Sequence, residues 1–181
     1  MIRLFVALTL PESLRLRLSA LGGGVPGARW VKPENLHLTL RFIGEVDTGM
    51  ADDVDAALNE VDAPAFDVSF VGAGYFGKPD AARILWAGIE ANDILHHLQA
   101  KVESALVRTG LQPEKRRFSP HVTLARLKQA PANRVEQFVA DHAGFRAGPV
   151  PIDRFTLYSS FLSSSGAIYT PEADYPLTRW G

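Results

Sequence analysis

Two short segments of this chain share the pattern His-x-Thr-x, with an aliphatic residue at each x. The first is His37-Leu38-Thr39-Leu40 and the second is His121-Val122-Thr123-Leu124. If each segment is a β-strand, its histidine and threonine project to one face and its aliphatic residues project to the other, towards a core. A single tetrapeptide of this kind is weak, but two copies provide the pair of histidines and hydroxyls that acid–base chemistry on a phosphate ester requires.

The composition fits one compact globular unit, or two small lobes that share a core. The chain has 181 residues, of which 46% are hydrophobic and 22% are charged. It has no apolar run near 18 residues, so we expect no membrane span. It contains no cysteine, which excludes disulfides and thiolate chemistry. We expect a cytoplasmic protein, acting as a monomer and without a membrane partner.

The distribution of charge indicates a local anion site rather than a surface that binds along a long nucleic acid. The net charge is −1, which argues against binding long nucleic acid through the overall field. One basic cluster nevertheless surrounds the second motif, without an acidic residue between positions 115 and 128: Lys115, Arg116, Arg117, Arg126 and Lys128. A solvated loop is the alternative reading. The position around the motif favours anion binding.

The order of predicted elements occurs twice along the chain. Hydrophobic alternation predicts strands at 3–9, 36–43, 66–76, 83–90, 121–127, 152–162 and 167–177, the last interrupted at Pro171. Helical spacing predicts helices at 14–21, 49–61, 93–109 and 133–142, with Asp47 or Thr48 and Asn133 as N-caps of the second and fourth. Strand, helix, His-x-Thr strand, helix and strand therefore recur in units of about 1–77 and 83–162. We predict an α+β fold, as a single domain over 1–181 made of two pseudo-symmetric lobes.

The paired histidines suit proton transfer at phosphorus. Because histidine titrates near neutrality, one ring can take a proton from an attacking water while the other gives a proton to the departing alkoxide. Thr39 and Thr123 suit the non-bridging phosphate oxygens, since a hydroxyl donates where negative charge develops. This chemistry needs no cofactor. The residues alone do not assign which histidine is the acid.

Residues just after each histidine are candidates for substrate contacts. Phe42 and Arg126 lie five positions beyond the histidines and could sandwich a nucleobase. Strict alternation places them on the opposite face, so this role needs a bulge or strand end, and Phe42 could instead belong to the core. Arg41 has the correct parity and is a rival phosphate contact. No carboxylate or further histidine accompanies either motif, so we expect no metal site.

Longer segments around the two motifs resemble a known family. N-L-H-L-T-L-R-F-I-G-E at 35–45 and F-S-P-H-V-T-L-A-R at 118–126 resemble the paired signatures of the two-histidine (2H) phosphoesterases. The similarity is to their RNA 2′,3′-cyclic phosphodiesterase branch, often named 2′-5′ RNA ligase. Three further regions also resemble its pattern: R-L-F-V-A-L-T-L-P at 3–11, L-W-A-G-I at 85–89, and F-T-L-Y-S-S with G-A-I-Y within 155–169.

The resemblance implies both an architecture and a reaction. The architecture is bilobal, with two antiparallel-rich sheets, helices outside them and a central cleft. The reaction is metal-independent opening of a 2′,3′-cyclic phosphate at an RNA 3′ end or on a small cyclic nucleotide, leaving a 2′-phosphate. By that analogy His37 is the proton donor and His121 the proton acceptor. Two alternatives remain: the reverse reaction, 2′-5′ ligation of tRNA-half-like RNA, and a module that binds RNA ends or nucleotides without turnover.

Overall fold

The helices and most of the strands lie where the sequence predicts them. The computed structural model describes residues 1–178. In this part of the chain the strands are β1 Ile2–Thr9, β2 Ala28–Trp30, β3 His37–Val46, β4 Phe66–Lys78, β5 Ala81–Ile89, β6 His121–Leu127, β7 Arg146–Ile152, β8 Arg154–Ser163 and β9 Gly166–Pro176. The α-helices are α1 Glu12–Ser19, α2 Thr48–Asn59, α3 Asp93–Arg108 and α4 Ala132–Asp141, and a 3₁₀ turn spans Pro33–Asn35.

The strands form one curled sheet in which paired strands are antiparallel. Their order is β7-β4-β5-β6-β3-β1-β8-β9, and β2 adds to β6 beside β3. At the centre, β3 and β6 pair through Leu38 and Val122 alone. The α+β class is therefore confirmed, and the two predicted sheets are half-sheets joined at the strands that carry the His-x-Thr motifs.

Each half-sheet contains strands from both repeats of the sequence. β4 follows β3 along the chain but pairs with β5, and β8, which comes after β6 and β7, pairs with β1. The last strand of each repeat thus crosses to the opposite half-sheet. Because of this exchange, the segments 1–77 and 83–162 do not coincide with the two halves of the sheet. The crossing also ties the halves together across the motif strands.

The helices cover one face of the sheet and bury its aliphatic residues. α3 packs against β3 and α2, and α4 packs against β4 and β5. Asp47 caps α2 by accepting from the Met50 backbone N–H at 2.8 Å, as predicted. Asn133 lies inside α4, behind Pro131 at the N-cap, so its predicted capping role is wrong. Within residues 1–178, no helix is long and apolar enough to cross a membrane.

Prolines account for the main errors in the predicted strands. The predicted strand 152–162 begins only at Arg154, and Arg146–Ile152 before it forms a separate strand, β7, which includes Gly148-Pro149 and which the sequence did not predict. At the other end of the sheet, β9 continues through Pro171, with a bulge at the neighbouring Glu172. Both are edge strands, where a residue without an N–H leaves no ladder partner unsatisfied.

Candidate active site

The two motifs lie side by side at the start of β3 and β6. Leu38 and Val122 are direct partners across these strands and are fully buried towards the helices. The histidine and threonine that flank each of them are only partly buried, and they project to the concave face, here called the groove. The predicted alternation is confirmed in both strands, and it brings His37 and His121 together at the junction of the half-sheets.

Backbone carbonyls fix the same tautomer in both histidines. The Nδ1–H of His37 donates to the carbonyl of Asn35 at 2.7 Å, and the Nδ1–H of His121 donates to the carbonyl of Ser119 at 2.8 Å. Since a carbonyl can only accept, Nδ1 must carry the proton. In the neutral rings Nε2 therefore holds the lone pair. Sequence reasoning could not find these acceptors, because a backbone carbonyl leaves no signature in the residue type.

Burial keeps both imidazoles neutral in the free protein. The pKa of His37 is lowered from 6.5 to about 4, mainly by burial and to a lesser extent by the charges of His121 and Arg126, against the opposing effect of the Asn35 hydrogen bond. Burial also lowers the pKa of His121, against the Ser119 hydrogen bond. Because Leu38 pairs with Val122, the two histidines lie on the same face of neighbouring strands, and a proton on one ring opposes a proton on the second.

The lowered pKa of His37 makes stability depend on pH. Between pH 6.5 and about 4 the unfolded chain binds a proton at this histidine and the folded chain does not. Stability therefore rises with pH across this window, and we expect His37 to account for a loss of up to about 3 kcal/mol on acidification from pH 7 to 4. Urea unfolding of wild type and His37→Gln at both pH values measures it. An equal pH dependence in the two proteins would contradict the assignment.

A bulge in each motif strand turns the residue at the fifth position into the groove. Along β3, Thr39 pairs with Ala7 and Arg41 pairs with Val6, which leaves Leu40 without a partner on β1. A matching shift between β5 and β6 leaves Leu124 unpartnered. An extra residue reverses the alternation beyond it. The bulge that the sandwich hypothesis required is thus present in both strands.

Phe42 and Arg126 accordingly lie on the same face as the histidines. The Phe42 ring is 59% exposed and lies 5.8 Å from the ring of Phe5, which stacks on His37. Arg126 is exposed, and its charge acts on His37. Phe42 is therefore not a core residue. The contact of either side chain with a nucleobase stays a prediction.

Arg41 does not face the groove, which corrects its predicted position. The bulge directs it to the helix side, where it is 7% exposed and its Nε donates to Oε1 of Glu103 on α3 at 2.8 Å. The remaining guanidinium nitrogens donate to the carbonyls of Phe42 at 2.7 Å and Gln112 at 2.5 Å. With its donors occupied there, Arg41 ties β3 to α3 and to the loop before β6 rather than contacting phosphate.

An aromatic wall around His37 was missed by the sequence reasoning. Phe5 stacks on the imidazole at 4.8 Å between centroids, and Tyr158 stacks on Phe5 at 5.2 Å. Tyr169 meets the imidazole edge-on at 5.3 Å. These rings come from β1, β8 and β9, and only the pairing of these strands places them beside β3. They explain why His37 is the more deeply buried histidine.

The opposite half of the groove has a different lining. Phe76 meets His121 edge-on at 4.8 Å. Next to it, the Trp86 ring lies flat over Gly74, where a Cβ would come within 2.3 Å of the indole. Glycine is required there by this close approach. The two histidines therefore sit in unequal surroundings despite equivalent strands and hydrogen bonds.

The groove residues do not assemble a metal-binding cluster. Across residues 1–178, no three or more His, Asp or Glu side chains lie close enough to share an ion. Lys115, Arg116 and Arg117 are exposed in the loop that precedes β6, as the sequence predicts. Metal-independent chemistry stays a prediction, which a chelator can test.

Paired His-x-Thr strands at the junction of a curled α+β sheet are the architecture of a two-histidine phosphoesterase. The comparison with protein families agrees, because residues 11–160 match the family model of the 2′-5′ RNA ligase superfamily. The chain belongs to this superfamily.

Relatives and solved structures cover nearly the whole chain. It is 36% identical over 159 residues to the RNA 2′,3′-cyclic phosphodiesterase of Aeropyrum pernix, covering 86% of this chain and 89% of that protein. It is 34% identical to the protein of the same name from Thermotoga maritima, covering 92% and 91%. Among solved structures, E. coli LigT complexed with 3′-AMP superposes with a TM-score of 0.78 at 27% identity, covering 98% and 99% of the two chains.

Proposed function

We propose that this protein hydrolyses the 2′,3′-cyclic phosphate at RNA 3′ ends to a 2′-phosphomonoester without a metal ion. The observation that carries this proposal is the pair of neutral imidazoles on neighbouring strands, each with Nδ1–H held by a carbonyl and Nε2 left for proton transfer. Relatives named RNA 2′,3′-cyclic phosphodiesterase support the substrate class. A single chain supplies the whole groove, which supports a monomer, and we propose that it acts in the cytoplasm.

The proposed reaction is one in-line displacement at phosphorus. Water attacks phosphorus while Nε2 of one histidine takes its proton, and the bond from phosphorus to O3′ breaks. The second histidine gives its proton to O3′, which leaves a 2′-phosphate and a 3′-hydroxyl. The first ring ends protonated and the second neutral, and exchange with solvent resets the pair. Each transfer contributes roughly 10²–10⁴-fold to the rate.

We assign the donor role to His37 and the acceptor role to His121. Burial against the aromatic wall lowers the pKa of His37 and so makes its imidazolium the stronger acid, while the negative charge of a bound phosphate favours its protonation. His121 is the less buried ring, which suits the histidine that meets water. The assignment also agrees with the roles implied by the family resemblance.

The other groove residues would hold the substrate. Thr39 and Thr123 would donate to the non-bridging oxygens of the cyclic phosphate. Phe42 offers an exposed ring on which a base can stack, with Arg126 as the opposing plane. The complex of E. coli LigT with 3′-AMP supports a nucleotide with a ribose phosphate as ligand. Small cyclic nucleotides would enter by the same contacts.

The superfamily's name favours ligation as a second candidate. Ligation joins a 5′-hydroxyl of one RNA to the cyclic phosphate of another, with this hydroxyl in the place of water. The histidine that takes the proton of water would then take that of the 5′-hydroxyl, and the other would again give its proton to O3′ as the bond from phosphorus to O3′ breaks. An excess of 5′-hydroxyl RNA over the cyclic end would reveal it as a 2′-5′ linked product.

Turnover in a chelator tests the proposed function. We expect the protein to open a 2′,3′-cyclic-phosphate-terminated oligonucleotide in EDTA at the rate seen without it, because no step uses a metal ion. Chromatography against 2′- and 3′-phosphate standards identifies the product. A 3′-phosphate would contradict the leaving group, and loss of turnover in EDTA would contradict the metal-free mechanism. A module that only binds RNA ends would give neither product.

A further inference from the structure

Two arginines face each other across β2 and β6 at one end of the groove. Arg29 is the direct antiparallel partner of Arg126. Directly opposite residues point to the same face with Cβ atoms roughly 4.5–5.5 Å apart, and like charges in this position repel. Both side chains are exposed, and within residues 1–178 neither belongs to an ion pair. Such a pair is stabilised by an anion between its two guanidinium groups.

The packing of the neighbouring residues shows which face Arg29 uses. Trp30 is the partner of fully buried Ala125, and its ring packs 5.6 Å from Phe138 of α4 on the helix side. Alternation therefore sends the preceding residue, Arg29, to the groove side. Arg126 is on that side as well, beyond the bulge in β6. The two guanidinium groups consequently share the face of the catalytic histidines.

The backbone holds β2 firmly against β6. The Val31 N–H donates to the carbonyl of Leu124 at 2.9 Å, and the Lys128 N–H donates to the carbonyl of Gly27 at 3.0 Å. Gly27 has φ +82°, and a Cβ there would lie 2.4 Å from the Lys128 carbonyl oxygen. Only glycine combines this positive φ with so close an approach to the neighbouring backbone. Arg29 is thus presented from a fixed strand, which lowers the entropy lost on binding.

We propose that Arg29 and Arg126 form a second phosphate subsite, for the phosphodiester on the 5′ side of the terminal nucleotide. This inference rests on the proposed function, since the first phosphate is the cyclic one at the histidines. Arg126 lies three residues beyond Thr123, roughly 10 Å along the strand. One nucleotide together with the reach of an arginine spans that interval. A guanidinium fork donates two hydrogen bonds to a phosphate, so the pair can hold both its free oxygens.

The subsite gives the bound RNA a direction. Its 5′ portion leaves the groove past β2, at the far end of β6. The basic loop with Lys115, Arg116 and Arg117 precedes β6 and lies at the other end of the strand. Glu114 sits in that loop, and its carboxylate accepts from the Arg116 backbone N–H at 3.1 Å. The Glu114 carboxylate lowers the net positive charge of the loop by one, and no carboxylate of residues 1–178 forms an ion pair with Arg29 or Arg126.

The test compares substrates that differ only in the second phosphate. Adenosine 2′,3′-cyclic phosphate is assayed with and without a 5′-phosphate, together with a dinucleotide that ends in the cyclic phosphate. We expect wild type to favour the 5′-phosphorylated and dinucleotide substrates in kcat/KM by about 10–100-fold, as a charge-assisted contact predicts. Arg29→Gln should remove most of this ratio. Arg29→Lys should keep part of it, because it retains the charge and loses the fork.

A matched arginine serves as the control. Arg108 is exposed at the last residue of α3, on the helix side of the sheet, so Arg108→Gln should keep the wild-type ratio. The proposal is overturned if wild type shows no preference for the second phosphate, or if Arg29→Gln keeps the full preference. Collapse of the ratio in Arg117→Gln instead would place the 5′ strand at the opposite end and would also overturn it.

A binding measurement separates this proposal from the proposed activity. If none of the three substrates turns over, the cyclic phosphodiesterase activity fails and the subsite is judged by calorimetry alone. Adenosine 2′,5′-bisphosphate should then bind wild type about 10–100-fold more tightly than adenosine 2′-phosphate, and Arg29→Gln should lose that gain. An equal gain in both proteins would show that Arg29 holds no phosphate.

Discussion

Replacing His121 with alanine should lower turnover of a cyclic-phosphate-terminated RNA by roughly 10²–10⁴-fold, and replacing His37 should have an effect of the same size. Each substitution removes one Nε2 that is held in place by an Nδ1–H bond to a backbone carbonyl. Because the two rings act in one displacement, the double variant should lose little more than either single variant. Additive losses would show that the histidines act in separate steps.

The measurement needs a check on folding and a matched histidine. Near-ultraviolet circular dichroism reports the stacking of Phe5 and Tyr158 beside His37, and thermal unfolding reports the fold. His97 is exposed on α3, so His97→Ala should keep wild-type kcat and KM. A fully active variant at either groove histidine would refute the paired mechanism. Loss of activity in His97→Ala would show that turnover is sensitive to changes outside the groove.

Local chemistry explains what could be predicted from the sequence. The alternation in His37–Leu40 and His121–Leu124 needs only that each segment be a strand, and both are. The capping of α2 by Asp47 likewise depends on a side chain and the next turn of the same helix. These features involve residues close together in the chain. The motif histidines were found for the same reason.

Features that depend on a partner strand could not be predicted. The faces to which Arg41 and Phe42 point are reversed by a bulge, and this bulge is defined by the register between β1 and β3. The aromatic wall follows from the exchange of β8 into the half-sheet of β1. Neither the register nor the exchange can be inferred from the residues whose positions depend on it. Strict alternation therefore predicts that Arg41 faces the groove, whereas the strand pairing places Phe42 there.

Unequal surroundings of equivalent strands provide a physical basis for the division of labour. Both histidines have the same backbone hydrogen bond, but aromatic rings bury His37 more deeply than Phe76 buries His121. This difference in burial is not visible in the repeated tetrapeptide. In the proposed mechanism, this difference in burial is what assigns the two proton transfers to different rings, although the two motifs are equivalent.

Replacing Arg41 with alanine should destabilise the protein by about 3–5 kcal/mol while leaving the groove chemistry intact. The substitution leaves Glu103, whose side chain is 22% exposed, without its cation, and it removes the donors to the carbonyls of Phe42 and Gln112. An uncompensated charge in a poorly hydrated position is costly. Urea unfolding at pH 7 gives the loss. In contrast, the exposed pair of Arg154 and Asp153, 3.9 Å apart, should contribute less than about 1 kcal/mol when Arg154 is replaced by alanine.

Two further measurements separate this structural role from a phosphate contact. Arg41→Met combined with Glu103→Leu should recover much of the lost stability, because replacing both partners of a buried ion pair by apolar residues removes the charge that a single substitution leaves behind. At a temperature where Arg41→Ala remains folded, its KM should stay near wild type, whereas Arg126→Gln should raise KM because it removes a countercharge from the groove. A large rise in KM without a change in stability for Arg41→Ala would place its guanidinium on the substrate, against the hydrogen bonds that hold it to α3.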